Sequence, residues 1–251
     1  MNRLTDVVAV ISGAGSGIGR AAAEAFVAEG ATVGLLDRNV AAIEDLAASL
    51  GQDAFALPCD VTDEASVRAA FEDVRRRFGH LDVLYNCAGV QLHGRDARAH
   101  ELPLEVWQQT VTVNLTGMFL CCKHGIALML PHGRGSVINC GSPTGLTGCG
   151  GGYTAYSSAK GGILALTRVL AVDYARDGIR VNSVVPGTIQ TPLIEGLLAD
   201  AETRADLIDG TPLGRLGTPR DLTGIAVFLA SDESRFATGA TFVVDGGVTI
   251  R

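Results

Sequence analysis

Tyr156 and Lys160 stand four residues apart in YSSAK, a spacing that puts both side chains on one face of a helix. Free tyrosine, with a pKa near ~10, is a poor base at neutral pH, but a neighbouring ammonium favours its phenolate and makes proton removal from an alcohol practicable. Tyr153 serves as an internal control: four residues on it meets Ser157, so it reads as a lining or packing aromatic. Ser142, just beyond the apolar run SVINC, can donate to a substrate oxygen from a fixed strand end. Asn114 is a polar residue among apolar neighbours in VTVNLTG. It either holds a water linking Lys160 to solvent or satisfies a local backbone group.

A second constellation lies near the N-terminus. Gly13, Gly17 and Gly19 follow the spacing G-x-x-x-G-x-G in SGAGSGIG, between an apolar run at residues 7–12 and an Ala-rich amphipathic segment at 18–29. A glycine turn between strand and helix lets a pyrophosphate approach the free amides and the positive helix end, which points to a dinucleotide site. The second apolar run ends in Asp37-Arg38. A carboxylate there accepts from adenosine ribose hydroxyls and repels a 2'-phosphate, so NAD is expected over NADP. Arg38 is the counter-argument, since a guanidinium can hold that phosphate; neither Ser16 nor Arg20 supplies a clearly placed second charge. Asp60 can bond an adenine amino group or cap a helix near Thr62 and Asp63.

These residues need a frame, and the hydrophobic pattern supplies one. Short apolar runs recur at TVGLL, AFALPC, LDVLYNCAG, SVINCGS, RVNSVVP and TFVVDGG, mostly separated by helical segments such as 40–50, 64–78 and 222–229. Strands too apolar to have a wet face, alternating with helices, predict a parallel α/β sheet covered on both sides, as one domain. Residues 104–129 predict one helix and 155–175 another, with small residues in its first turns. Residues 91–103 and 189–219 break the rhythm. The second stretch predicts short helices beyond a strand end, placed to cover a substrate.

Composition narrows the field further. The 251 residues are 47% hydrophobic and 19% charged, with a net charge of -7. Scattered basic residues offer no footprint for nucleic acid, and the Arg75–Arg77 run reads as a solvated helix face. The first residues lack a secretory pattern and no uninterrupted apolar run reaches ~18 residues, so a soluble, cytoplasmic protein is expected. Six cysteines lack any C-x-x-C pair and five histidines lack ligand spacing. Buried thiols acting as small hydrophobes are the expected reading, with redox or metal roles as the alternative.

Taken together, SGAGSGIG, NCAG at 86–89, YSSAK and VPGT at 185–188 make the whole chain resemble the short-chain dehydrogenase/reductase family. The resemblance implies a Rossmann-type, doubly wound, seven-stranded sheet of order 3-2-1-4-5-6-7 in three layers, commonly as a homotetramer. In such tetramers the two long helices pair across one interface, and the C-terminal strand region contributes to another. It implies that Gly13, Ser16, Gly17, Ile18 and Gly19 hold a pyrophosphate, with Asp37 and Arg38 at the ribose. Asp60 and Val61 border adenine, and Asn86, Ala88 and Gly89 lie beneath the ribose region. Pro186, Gly187, Ile189 and Thr191 border nicotinamide, while Asn114, Ser142, Tyr156 and Lys160 match the catalytic tetrad, in which Lys160 also binds ribose and Asn114 supports a water relay.

Two departures stand out. Asn86-Cys87 replaces the commoner Asn-Asn, and Cys140-Gly141-Ser142 stands where the family often has a serine pair. The connection from Ser142 to Tyr156 also looks one residue longer than is usual in the family, with Gly150–Gly152 absorbing the difference.

The implied activity is hydride transfer between a nicotinamide cofactor and a secondary alcohol or its ketone, with a sugar, polyol or hydroxy acid favoured. Polar candidates around the substrate are Gln91, His93, Arg95, Glu195 and Arg204. An NAD-retaining epimerase or dehydratase would differ in releasing no stoichiometric NADH. A non-catalytic dinucleotide-binding regulator would have no need of the Tyr156, Lys160 and Ser142 set.

Overall fold

The computed structural model describes residues 2–250. Seven parallel strands form one sheet in the order β3-β2-β1-β4-β5-β6-β7. They are β1 (Val8–Ser12), β2 (Thr32–Asp37), β3 (Ala54–Pro58), β4 (Val83–Asn86), β5 (Gly135–Cys140), β6 (Ile179–Pro186) and β7 (Thr241–Val244). Because every pair is parallel, Ser12 lies level with both Leu36 and Asn86, and Asn86 with Asn139, so the strand ends share one edge. The order reverses between β1 and β4, which opens a crevice at that edge.

Side chains alternate across the sheet and feed two cores. Val8, Val10, Leu84 and Val137 pack with the helices α3 (Glu64–Phe78), α5 (Gly117–Met129) and α6 (Thr154–Tyr174). Ala9, Ile11, Tyr85, Ile138 and Cys140 pack on the other face with α1 (Gly17–Ala28), α2 (Val40–Leu50) and α9 (Thr223–Ala230). Burial on both faces explains why the strands read as continuous apolar runs. Local signals set the helix ends: Asn39 and Asp63 accept from Ala42 and Ala65 as N-caps, and Gly79 closes α3 in the left-handed region. Arg75, Arg76 and Arg77 crowd that last turn, paired with Glu72 and Asp73, and Arg77 also stacks on Phe55.

The helix expected over 104–129 is interrupted. α4 (Leu104–Val111) and α5 are joined through a wide π-turn, Thr112–Thr116, which carries Asn114. Hydrophobic periodicity cannot register one wide turn, and such turns frequently sit at functional sites. The combined helix, Leu104–His132, is apolar enough to cross a membrane by composition, yet 56% of its most apolar window is buried inside the fold. It is a core helix.

Residues 189–219 contain short helices, as expected: a 3-10 turn at Pro192–Ile194, α7 (Glu195–Leu198) and α8 (Ala201–Asp209). The ends of this excursion meet where Ile189 bridges Gly217 and each strand end bonds the other: Gln190 N–H to Gly217 O, and Gly217 N–H to Thr188 O.

Candidate active site

The glycine turn after β1 is built around close contacts. Gly13 has φ +70°, and a Cβ there would stand 2.8 Å from Ala88 N; a Cβ on Gly19 would strike the Gly13 carbonyl oxygen. The Ser12 hydroxyl accepts from the amides of Cys87 and Ala88, both at 3.2 Å, fastening the β4 exit against the turn. Asp37 does the same from β2: Oδ2 accepts from Gly15 N–H at 3.0 Å and Oδ1 from Asn39 N–H at 2.9 Å. A cleft of about 530 Å³ follows, lined by Gly13, Ser16, Gly17, Ile18, Gly19, Asp37, Arg38, Asp60, Val61, Ala88, Gly89 and Thr191. A dinucleotide fits this donor set: bare glycine amides at a helix start for the diphosphate, and a carboxylate at the end of β2 for ribose hydroxyls.

Two of the residues expected here behave differently. Asn86 points away from the cleft into the α5 and α6 side of the sheet, where its amide donates to Asn139 Oδ1 at 2.9 Å and to the Cys122 sulfur. Strand alternation decides this: Cys87, not Asn86, shares the face of Tyr85. Asp60 lines the cleft but its Oδ1 accepts from both Thr62 N–H and Thr62 Oγ1, and these bonds hold its carboxyl below the usual range, helped by Arg38. The cap of α3 is Asp63 instead.

A second cavity of about 330 Å³ opens beside the first and shares Ile18, Cys87, Gly89, Val90, Thr191 and Leu193 with it. Asn114, Ser142, Tyr156 and Lys160 all line it, as do Pro186, Gly187 and Ile189. Lys160 comes from the first turns of α6 and is buried; its Nζ donates to Cys140 O at 2.8 Å and lies 5.6 Å from the centroid of the Tyr156 ring. One backbone bond therefore aims the ammonium and leaves two of its protons free. Ser142 Oγ accepts from Thr144 N–H and shares a proton with Thr144 Oγ1 at 3.1 Å.

Asn114 spends both amide protons on carbonyls, Val90 O at 2.8 Å and Thr110 O at 3.0 Å, and accepts from Val90 N–H at 3.0 Å. It ties the π-turn to the loop after β4. A Cβ on Gly89 would stand 2.7 Å from Asn114 Oδ1 and 3.9 Å from Lys160 Nζ, so the three positions are packed as a unit.

Asp96 makes the contact near the site that sequence reasoning missed. It lies in the irregular 91–103 stretch, and its carboxylate accepts from Ala155 N–H at 3.1 Å and Tyr156 N–H at 2.9 Å. α6 has no side-chain cap of its own, so a residue some sixty positions away caps the helix that carries Tyr156. No local spacing could have shown it.

Of the five polar candidates for the substrate side, Gln91 and His93 line the cavity, whereas Arg95, Glu195 and Arg204 do not. His93 meets the edge of Tyr153, and its Nε2 is buried without a partner. Burial pushes the imidazole pKa down, opposed by the Leu193 carbonyl. Leu193, Ile194, Leu197, Leu207 and Val248 complete an apolar wall.

A family model described as enoyl-(acyl carrier protein) reductase matches residues 13–249. A short-chain type dehydrogenase/reductase of Sinorhizobium fredii, itself uncharacterized, is 42% identical, over 96% of this chain and 97% of its own. The chain belongs to the short-chain dehydrogenase/reductase family. Another member, the cis-4-hydroxycyclohexanecarboxylate dehydrogenase of Sinomonas cyclohexanicum, is 42% identical over 96% of each chain. The crystal structure of a gluconate 5-dehydrogenase from Burkholderia cenocepacia, in complex with NADP and tartrate, superposes with a TM-score of 0.91. It shares 35% sequence identity and covers 99% of this chain and 97% of that one. As a short-chain dehydrogenase/reductase, the protein is an oxidoreductase of the NAD(P)-dependent type.

Proposed function

We propose that the protein oxidises a compact, uncharged secondary alcohol with a further hydroxyl group to its ketone, using NAD, and reduces the ketone in the reverse direction. The observation that carries this reading is the convergence of Tyr156, Lys160 and Ser142 on one cavity that opens directly into the dinucleotide-sized cleft. When bound, the nicotinamide takes or returns the hydride. Tyr156 removes the hydroxyl proton in oxidation and supplies it in reduction. Lys160 keeps a positive charge beside the ring on which negative charge develops, with two protons left for ribose and water. Ser142 donates to the substrate oxygen when the Thr144 hydroxyl turns to donate to it. Asn114 has one acceptor lone pair left for a water beside Lys160.

The lining argues for the substrate class. Its basic residues are Lys160, already engaged by Cys140 O, and His93, which burial pushes toward neutrality. A buried carboxylate without a paired cation is costly, so a polyol or hydroxylated ring fits better than a hydroxy acid. The ring alcohol of the Sinomonas relative suits the apolar wall; its carboxylate finds no partner here. Asp37 at the ribose end supports NAD even though the Burkholderia neighbour binds NADP.

Initial rates of NADH formation across a panel of diols, ring alcohols and hydroxy acids test the reading. A preference for uncharged diols or ring alcohols supports it, and activity confined to hydroxy acids refutes the substrate class. Assembly as a homotetramer belongs to the same proposal, supported by exposed Phe119 on α5 and exposed Val169 and Val172 on α6. Light scattering of the purified protein checks it.

A further inference from the structure

Two thiols sit at the junction of the two cavities, at the positions where the sequence departs from the family pattern. Asn86 on β4 is level with Asn139 on β5, so the next residues, Cys87 and Cys140, are neighbours across parallel strand ends. Both belong to the face of the sheet that packs α1 and α9, and both line the substrate cavity; Cys140 is buried and Cys87 half-buried. Each thiol acts electrostatically on the other, and the fully buried Tyr85 hydroxyl acts on Cys87. The chain on either side of the pair holds the catalytic parts. Cys140 O holds Lys160, and Ala88 and Gly89, which follow Cys87, press on Gly13 and Asn114.

We propose that Cys87 and Cys140 form a peroxide-sensitive dithiol whose closure to a disulfide turns the enzyme off. The Cys140 sulfur attacks one oxygen of hydrogen peroxide, the O–O bond breaks, and water leaves after taking a proton, giving a sulfenic acid. The Cys87 sulfur then attacks that sulfur, the S–O bond breaks, and a second water carries away the other thiol proton. Two thiols thus lose two electrons and two protons, and one peroxide becomes two waters.

The neighbouring Cys87 thiol and the Lys160 charge lower the Cys140 pKa against burial, which favours its thiolate as the attacking group. Burial pushes the Cys87 thiol up, as suits the partner that closes the bond. Adjacent strands lie about 4.8 Å apart, whereas a disulfide brings its Cβ atoms to about 3.8 Å. The strand spacing already lies within the Cα separation a disulfide spans, about 4.4–6.8 Å, so closure turns the two Cβ atoms toward each other and twists the strand ends, re-aiming the carbonyl that holds Lys160 and the backbone under Gly89. A misplacement of about 1 Å at such groups costs up to about 100-fold in turnover.

The test treats the full-length protein with hydrogen peroxide, then alkylates it, digests it without reductant and weighs the peptides. The expected result is a linked pair of peptides containing Cys87 and Cys140, appearing in step with loss of activity and reversed by dithiothreitol. Cys87→Ser, Cys87→Ala and Cys140→Ser, each compared with its own untreated rate, are expected to resist the same dose. The proposal rests on the dehydrogenase reading for its activity arm, but the peptide link is read by mass alone and stands or falls without any substrate. Three outcomes overturn it: oxidation of Cys149 with no Cys87–Cys140 link, a link without loss of rate, or equal inactivation in the serine and alanine variants.

Discussion

The two sides of the strand-end crevice are built on different principles. On the cofactor side, positions are set by contacts tighter than a side chain allows: Gly13 against Ala88, Gly19 against Gly13, Gly89 against Asn114. On the substrate side, α8 has no buried residue, and Leu193 and Leu213 are exposed. Tight packing tolerates no substitution and fixes atoms for chemistry, whereas loose packing leaves freedom to admit and release a ligand. Mutations on the two sides should therefore fail differently, the first in rate and cofactor affinity, the second in substrate affinity or not at all.

The largest effect is expected at the centre. Tyr156→Phe should lower turnover by at least ~100-fold while NAD binding, measured by calorimetry, stays nearly unchanged. Wild-type turnover in this variant would remove Tyr156 from acid/base chemistry.

Next comes the packed unit behind it. Gly89→Ala places a Cβ 2.7 Å from Asn114 Oδ1 and against Lys160. Overpacking of about 1–3 kcal/mol must be relieved by moving Asn114, so a fall of about tenfold or more in kcat/KM is expected. Gly196→Ala, in the substrate-side segment where an added Cβ meets nothing within 4 Å, is the matched control and should leave kcat within about twofold. If both behave alike, the contrast between the two sides is wrong.

Smaller effects should follow at two carboxylates. Asp37→Ala should shift cofactor preference toward NADP by about tenfold, since it removes the repulsion and leaves Arg38 at the same cleft. It also frees the Gly15 amide, so some affinity for NAD should be lost as well. Asp96→Ala removes both bonds at the start of α6 and should cost about 1–2 kcal/mol of stability in denaturant melts, with a fall in kcat smaller than that of Gly89→Ala. An unchanged melt would show that the Asp96 cap contributes nothing.

How much of this could be read from the chain follows a different division. The placement of the residues around both cavities was legible where it is local: Gly13, Gly17 and Gly19 sit in one turn and Asp37 ends one strand at the first, and Tyr156 and Lys160 share one helix face at the second. What escaped depends on distance in sequence. Asp96 caps a helix from a loop without periodicity, and the π-turn at Asn114 leaves the apolar pattern of its helix intact. The orientation of Asn86 is an intermediate case. Strand alternation contains it, but the motif NCAG invites every residue to be placed beside the cofactor. Cysteine burial was expected of all six, yet Cys149 is exposed in the loop where Gly151 and Gly152 have positive φ.

The substrate-side segment offers the finest test of the contrast, because its base and its middle should respond differently. At the base, Ile189 bridges Gly217, and Arg215 holds Asp221 through two bonds of 2.9 and 2.7 Å. Those bonds, with two from Thr218, hold the Asp221 carboxyl well below its usual range. A depressed carboxyl contributes stability above its unfolded pKa, near ~3.9, and loses it as pH falls toward the folded value. Between pH 8 and pH 5 the clasp is therefore unaltered, and exchange at the base should follow intrinsic chemistry alone. The middle lacks such ties: α8 is capped by Asp200 but buries no residue. Leu193, Leu197 and Leu207 already face the cavity, so a ligand there can hold this segment down. Hydrogen exchange should slow by a few-fold in residues 193–207 with NAD plus a substrate analogue, and less with NAD alone. Residues 215–221 should be protected equally in all states. Identical exchange of the middle in the apo, NAD-bound and ternary forms would mean that the segment is a fixed wall, and that its loose packing serves no closing motion.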